Sequence, residues 1–149
     1  MPTDAVAAVP AQPGRFPETS VLRWPVHDGL DLGAVLPAAS GLTEWLYSVG
    51  LHEGWCAVTH PSRSVGLALQ FDPHLFQTTW LWGVYGGWRG HYVLLTEPST
   101  SPPGGLAHNV GDGTAAWLGA DSAIETAVTA VVLDGIAETD GAVWPGPPV

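Results

Sequence analysis

Lysine is absent from this sequence and only four arginines stand against fourteen acidic residues, giving a formal net charge of -10. Such a surface repels a nucleic-acid backbone and an anionic membrane alike, so neither is an expected partner. Cysteine is nearly as scarce. Cys56 stands alone, which excludes an internal disulfide framework and any thiolate-ligand spacing, and it is expected to be a small buried apolar residue of a cytoplasmic protein. Also missing is an apolar run of the roughly 20 residues that a membrane-spanning helix needs. The first 17 residues lack a basic stretch and are interrupted by Pro10, Pro13 and Pro17, which does not describe a signal peptide.

What is present is enough for one domain. The 149 residues are 46% hydrophobic, sufficient for a real core. Residues 1–17, rich in Ala and Pro, are expected to form an irregular leader, and residues 136–149, with three prolines after Gly141, a flexible tail. Between them, over 18–135, short β-rich runs alternate with turn chemistry. Val21–Trp24, Thr43–Val49, Gly54–Thr59, Ser64–Phe71, Thr78–Tyr85, Gly90–Glu97 and Thr114–Leu118 are predicted strands. Asp121–Leu133 fits either a helical stripe or a strand face, and its Val and Thr content favours a strand. The fold class that follows is all-β, an antiparallel sandwich, with no alternating helices that would point to a parallel sheet.

The most informative stretch is Thr79–Leu106, TWLWGVYGGWRGHYVLLTEPSTSPPGGL. It gathers Trp80, Trp82, Tyr85, Trp88 and Tyr92 around two glycine-rich turns and then carries a strand, Tyr92–Glu97, into a carboxylate held against Pro98. Proline disfavours helix at Glu97 and is expected to end the ladder there. A pyranose offers C–H patches that stack on indole and phenol rings, and hydroxyls that a carboxylate accepts from. Aromatic faces beside one fixed acid therefore suggest a site for a small-molecule sugar. The competing reading is that Trp80 and Trp82 fill a core and Glu97 is a solvated strand end.

Six histidines raise the question of a metal, and their spacing answers against it. His27, His52, His60, His74, His91 and His108 include no pair at i, i+4 or i, i+2, so no metal and no cofactor is expected. Counting by two from Glu97 passes Leu95 and Val93 to His91, which is predicted to hold a sugar hydroxyl or to position Glu97; otherwise it is an exposed histidine at a strand start. Arg89, in GGWRG, is either a phosphate contact or a surface residue, and no strand-to-helix context makes this a phosphate loop.

The runs LALQFDPHLF, WLWGVYGGWRGHYVLLTEPSTSPPGGL and TAAWLGADSAIETAVTAVVL resemble the C-terminal half of the aldose 1-epimerase (galactose mutarotase) family. The markers are the strand ending in FDP, the WLW segment, the paired glycines and the LxxEP strand exit before Gly-Leu, spanning Leu42 to Leu133. The resemblance implies a galactose mutarotase-like supersandwich that binds an aldohexose and interconverts its α and β anomers. By the matching motif the general base falls on Glu97, and Trp80, Trp82, Tyr85, Trp88 and His91 are the expected substrate-binding residues. The family's acid is a histidine in a His-Pro-type turn, in a region that would precede Met1; His60-Pro61 is not at the equivalent place, and Gln77 stands where many relatives have proline. The chain thus resembles a truncated C-terminal portion lacking the acid, which leaves a non-catalytic carbohydrate-binding sandwich, an enzyme remnant or a purely structural β-domain as the other readings. Half a sandwich also exposes strand edges, so self-association is expected.

Overall fold

The computed structural model describes residues 1–135, and the expected tail over 136–149 lies outside the described residues. In chain order the strands are β1 (Ala5–Val9), β2 (Ser20–Arg23), β3 (Val26–His27), β4 (Leu30–Asp31), β5 (Leu42–Val49), β6 (Trp55–His60), β7 (Val65–Gln70), β8 (Thr78–Tyr85), β9 (Tyr92–Ser99) and β10 (Thr129–Asp134). One short helix, α1 (Leu106–Gly111), follows β9. It is too short and polar to span a membrane, as is every helix among the described residues.

Every pairing between these strands is antiparallel. A five-stranded sheet runs β2-β1-β5-β8-β9, a three-stranded sheet runs β10-β7-β6, and β3 with β4 forms a separate hairpin. The fold is all-β and sandwich-like, with no closed barrel among the described residues. The small hairpin turns on Asp28 and Gly29, both at positive φ (48° and 80°), which is the backbone that a two-residue Asp-Gly turn supplies.

The core lies on one face of the large sheet. Val6 and Ala8 of β1, Leu22 of β2 and Leu46 of β5 are buried together with Leu32, and Met1, Phe16, Trp24 and Leu81 pack against them. Between the two sheets runs a groove of about 750 Å³, walled by Leu81, Tyr92 and Leu94 on one side and by Ala57, Val58 and Thr59 on the other.

Four sequence expectations are corrected here. Residues 1–17 are not an irregular leader, because β1 pairs with both β2 and β5 and its Val6, Ala7 and Ala8 are 0–2% exposed. β1 is buried on both faces, where alanine and valine suffice; the prolines at 10, 13 and 17 fall in the connection to β2. Pro98 does not end its strand: Thr79 and Thr78 still pair with Pro98 and Ser99. Proline is tolerated because β9 is the sheet's edge, and edge position also explains why Tyr92 and Val93 are 56% and 43% exposed rather than buried. Thr114–Leu118 is irregular; the Ala115 amide donates to the Asn109 carbonyl at the end of α1 instead of joining a ladder. From Asp121–Leu133 only the last residues are strand, since the six residues of β7 pair with Thr129–Asp134 and offer no partner further upstream.

Candidate functional site

Strand register decides which aromatic residues meet. Tyr47 of β5 pairs with Trp80 of β8, which pairs with Glu97 of β9, so these three side chains stand in one row on one face. The next row, two residues along, is Trp45, Trp82 and Leu95. Directly opposed residues have Cβ atoms about 5 Å apart, so Glu97 and Trp80 are cross-strand neighbours. This is the face turned away from the Val6 and Leu46 core, because side chains alternate along each strand.

The indoles hold one another in place. Trp45 meets Trp82 in a stacked arrangement with centroids 6.2 Å apart and planes at 30°, and meets Trp80 edge-on at 5.8 Å and 60°. Trp80 Nε1–H donates to the Ser101 carbonyl at 3.1 Å, which ties the chain leaving β9 to the edge of the ring. Trp82 remains 41% exposed, whereas Trp45, Tyr47, Trp80, Leu95 and Glu97 are half-buried. Beyond the Tyr47–Trp80 pair the ladder is continued by side chains: Thr78 Oγ1 donates to the Ser48 carbonyl at 2.9 Å and the Thr79 amide donates to Ser48 Oγ at 2.8 Å. That lock sets the register from which the whole row follows.

The expected site residues divide into three places. Trp80, Trp82 and Glu97 share the aromatic face. Tyr85, an odd number of residues from them along β8, points to the opposite face, where it contacts Tyr92 with centroids 6.3 Å apart. Trp88 and His91 lie in the turn between β8 and β9; His91 precedes the strand, so counting by two from Glu97 does not place it on that face. There the His91 amide donates to the Trp88 carbonyl at 2.9 Å, the two rings sit 5.0 Å apart, and the Arg89 guanidinium lies 5.5 Å above the Trp88 ring. The Tyr85–Tyr92 pair is five residue steps from Trp80–Glu97, about 17 Å along the strands.

Trp45 and Tyr47 were not singled out in the sequence. The signal for them was there, since Thr43, Trp45 and Tyr47 alternate within a run already assigned as strand; the missing piece was that β5 neighbours β8 across a gap of some thirty residues.

The opposite face carries a second carboxylate with a different fate. Glu44 is 5% exposed and is bound by Arg15, whose Nε and Nη2 both donate to it, the latter at 2.7 Å. The carboxylate raises the Arg15 guanidinium still further above its ordinary value. Burial, with the negative charge of Glu44 nearby, pushes the Tyr85 phenol up to about 12. Glu44, Leu46, Leu81, Gly83 and Tyr85 line a small pocket there. Glu44 is fully engaged in holding residue 15 to β5.

The histidines are dispersed. His27 and His52 lie near Asp28 and Asp4, His60 contacts Ser62, and His108 lies 3.3 Å from Asp112. Among the described residues no three His, Cys, Asp or Glu side chains come together as a metal site. Cys56 is 1% exposed, and burial raises its thiol above the ordinary value. Comparison with protein-family models, with curated proteins and with solved structures finds no match to this chain.

Proposed function

We propose that this chain is an aldose 1-epimerase-like carbohydrate-binding protein whose ligand lies on the Trp45–Trp80–Trp82 face with Glu97 as its carboxylate. The observation that carries the reading is the row Tyr47–Trp80–Glu97, which sets an acid and an indole side by side at the edge of a sheet. A pyranose stacked on the exposed Trp82 ring would turn hydroxyls toward Glu97. Placing Glu97 on an edge strand leaves its approach open from one side, as a ligand of this size needs. A cytoplasmic setting accords with a lone buried cysteine.

In the catalytic form of the proposal Glu97 takes the proton of the anomeric hydroxyl. The O–H electron pair becomes the second C1–O bond, the bond from C1 to the ring oxygen breaks, and the ring oxygen receives a proton from a general acid. Rotation about the C1–C2 bond and the reverse steps give the other anomer. No histidine shares the aromatic face among the described residues, so the acid in this scheme is water or a group from outside those residues. That same observation favours a second reading, a binding face without catalysis.

Polarimetry separates them. Fresh α-glucose or α-galactose should approach rotational equilibrium faster with the protein than in buffer, and Glu97→Gln should return the rate to that of buffer. An unchanged rate in the substituted protein removes Glu97 as the base. Tryptophan fluorescence that shifts with sugar while rotation stays at the buffer rate selects the non-catalytic reading, and no shift with either sugar defeats both.

A further inference from the structure

Two adjoining cavities lie on the face of the large sheet opposite the indoles. The groove of about 750 Å³ between the sheets falls within the roughly 300–1,000 Å³ of small-molecule sites. Its walls are mainly apolar, Thr59, His60 and Tyr92 being the polar side chains, and Val35, Val65 and Tyr92 remain 44%, 41% and 56% exposed. A second cavity of about 30 Å³ is lined by Glu44 and Tyr85, and Gly33, Ala34, Val35, Leu81 and Leu94 border both. That volume is about the share of one water molecule in the liquid, so this end has room for one small polar group.

Register explains the polar end. Glu44 of β5 is opposite Gly83 of β8, which is opposite Leu94 of β9, so the middle of this row has no side chain of its own. Tyr85 covers the gap: its ring and hydroxyl occupy the place that a Cβ on Gly83 would take. Ser40 Oγ donates to the Tyr85 carbonyl at 3.4 Å, but the Tyr85 hydroxyl has no hydrogen-bond partner among the described residues, although the residue is only 5% exposed. An enclosed hydroxyl without a partner costs free energy that a ligand atom can recover.

We infer that this groove binds a small uncharged apolar molecule bearing one hydrogen-bonding oxygen, with its hydrocarbon between the sheets and its oxygen accepting from the Tyr85 hydroxyl. Charge fixes the class. Among the described residues no arginine or carboxylate lines the groove itself, and Arg15, at the inner end, is already spent on Glu44, so nothing there offsets an anionic head. The formal -10 of the chain repels an anion as well. A cationic head would give up its water only to meet a carboxylate that Arg15 has neutralised. An alcohol or a ketone meets neither cost. The site uses the face opposite the Trp45–Trp80–Trp82 surface and stands or falls separately from the sugar-binding proposal.

Titration calorimetry on the full chain, with octanol, octanone and octanoate as probes, tests it. Octanol and octanone should both bind, at least about tenfold more tightly than octanoate, whose charge would be buried unpaired. Tyr85→Phe keeps the ring and removes the hydroxyl, and should weaken octanol by about three- to tenfold, the worth of one hydrogen bond. Ala34→Trp, at an exposed position bordering both cavities, should abolish binding by filling them. Failure of octanol to bind, octanoate binding as tightly as octanol, or octanol affinity unchanged in either variant would each overturn the inference. Should Tyr85→Phe not fold, Ala34→Trp and the comparison of octanol with octanoate decide.

Discussion

Glu44 and Glu97 stand on neighbouring parts of the same sheet and face opposite ways. Glu44, on an inner strand, is 5% exposed and neutralised by Arg15, and the tyrosine beside it keeps its proton up to about 12. Glu97, on the edge strand, is half-buried beside an indole and is bound by no cationic side chain among the described residues. The contrast shows how one sheet sorts its acids. A carboxylate that is enclosed must be paired, whereas one at an open edge can stand without an ion partner.

The sharpest way to break this comparison is to remove the enclosed acid. Glu44→Ala leaves Arg15 without its partner and should destabilise the fold by about 3–5 kcal/mol in urea titration; replacing Arg15 by Met as well should recover much of that. Equal stability of parent and Glu44→Ala would show the ion pair to be inert. Gly83→Ala ranks next. A Cβ there would lie 2.3 Å from the Tyr85 ring and hydroxyl, so about 1–3 kcal/mol of destabilisation is expected, and it should largely vanish in a Tyr85→Ala background.

A pH scan tests the tyrosine. Its folded value lies above the ordinary value of about 10, so the folded state binds the proton more tightly, and the stabilisation present below pH 10 is lost as pH rises toward 12. The slope should reach at most about 1.4 kcal/mol per pH unit in that window and should flatten in Tyr85→Phe. The smallest effect belongs to the open acid: Glu97→Gln should change stability by no more than about 0.5 kcal/mol, since no ion pair is lost. A large loss of stability would give Glu97 a structural role like that of Glu44.

Periodicity made the central strands legible. Thr78–Tyr85 is a strand over the predicted residues, β5 begins one residue before its predicted range, and β6 and β7 differ from theirs by one residue at each end. What escaped was set by neighbours. β1 looked like a leader because its alanines seemed to bury too little, yet an inner position between β2 and β5 makes small side chains adequate. Pro98 was read locally as a stop, although a proline on an outer strand loses no ladder bond. β10 begins at Thr129 because that is where β7 begins to answer it. The candidate site follows the same rule. Trp80, Trp82 and Glu97 could be associated from one segment, but Trp45 entered only through β5 to β8 pairing, and the odd spacing that sends Tyr85 to the other side was visible in the sequence without being used.

The tilted contact between Trp45 and Trp82 carries a spectroscopic consequence. Two indole chromophores with centroids 6.2 Å apart and planes at 30° have transition dipoles close enough to couple and oblique enough to make that coupling chiral. The native chain should therefore show a bisignate circular-dichroism couplet that disappears when either ring is replaced by phenylalanine. It would report the integrity of the aromatic face before any sugar is added.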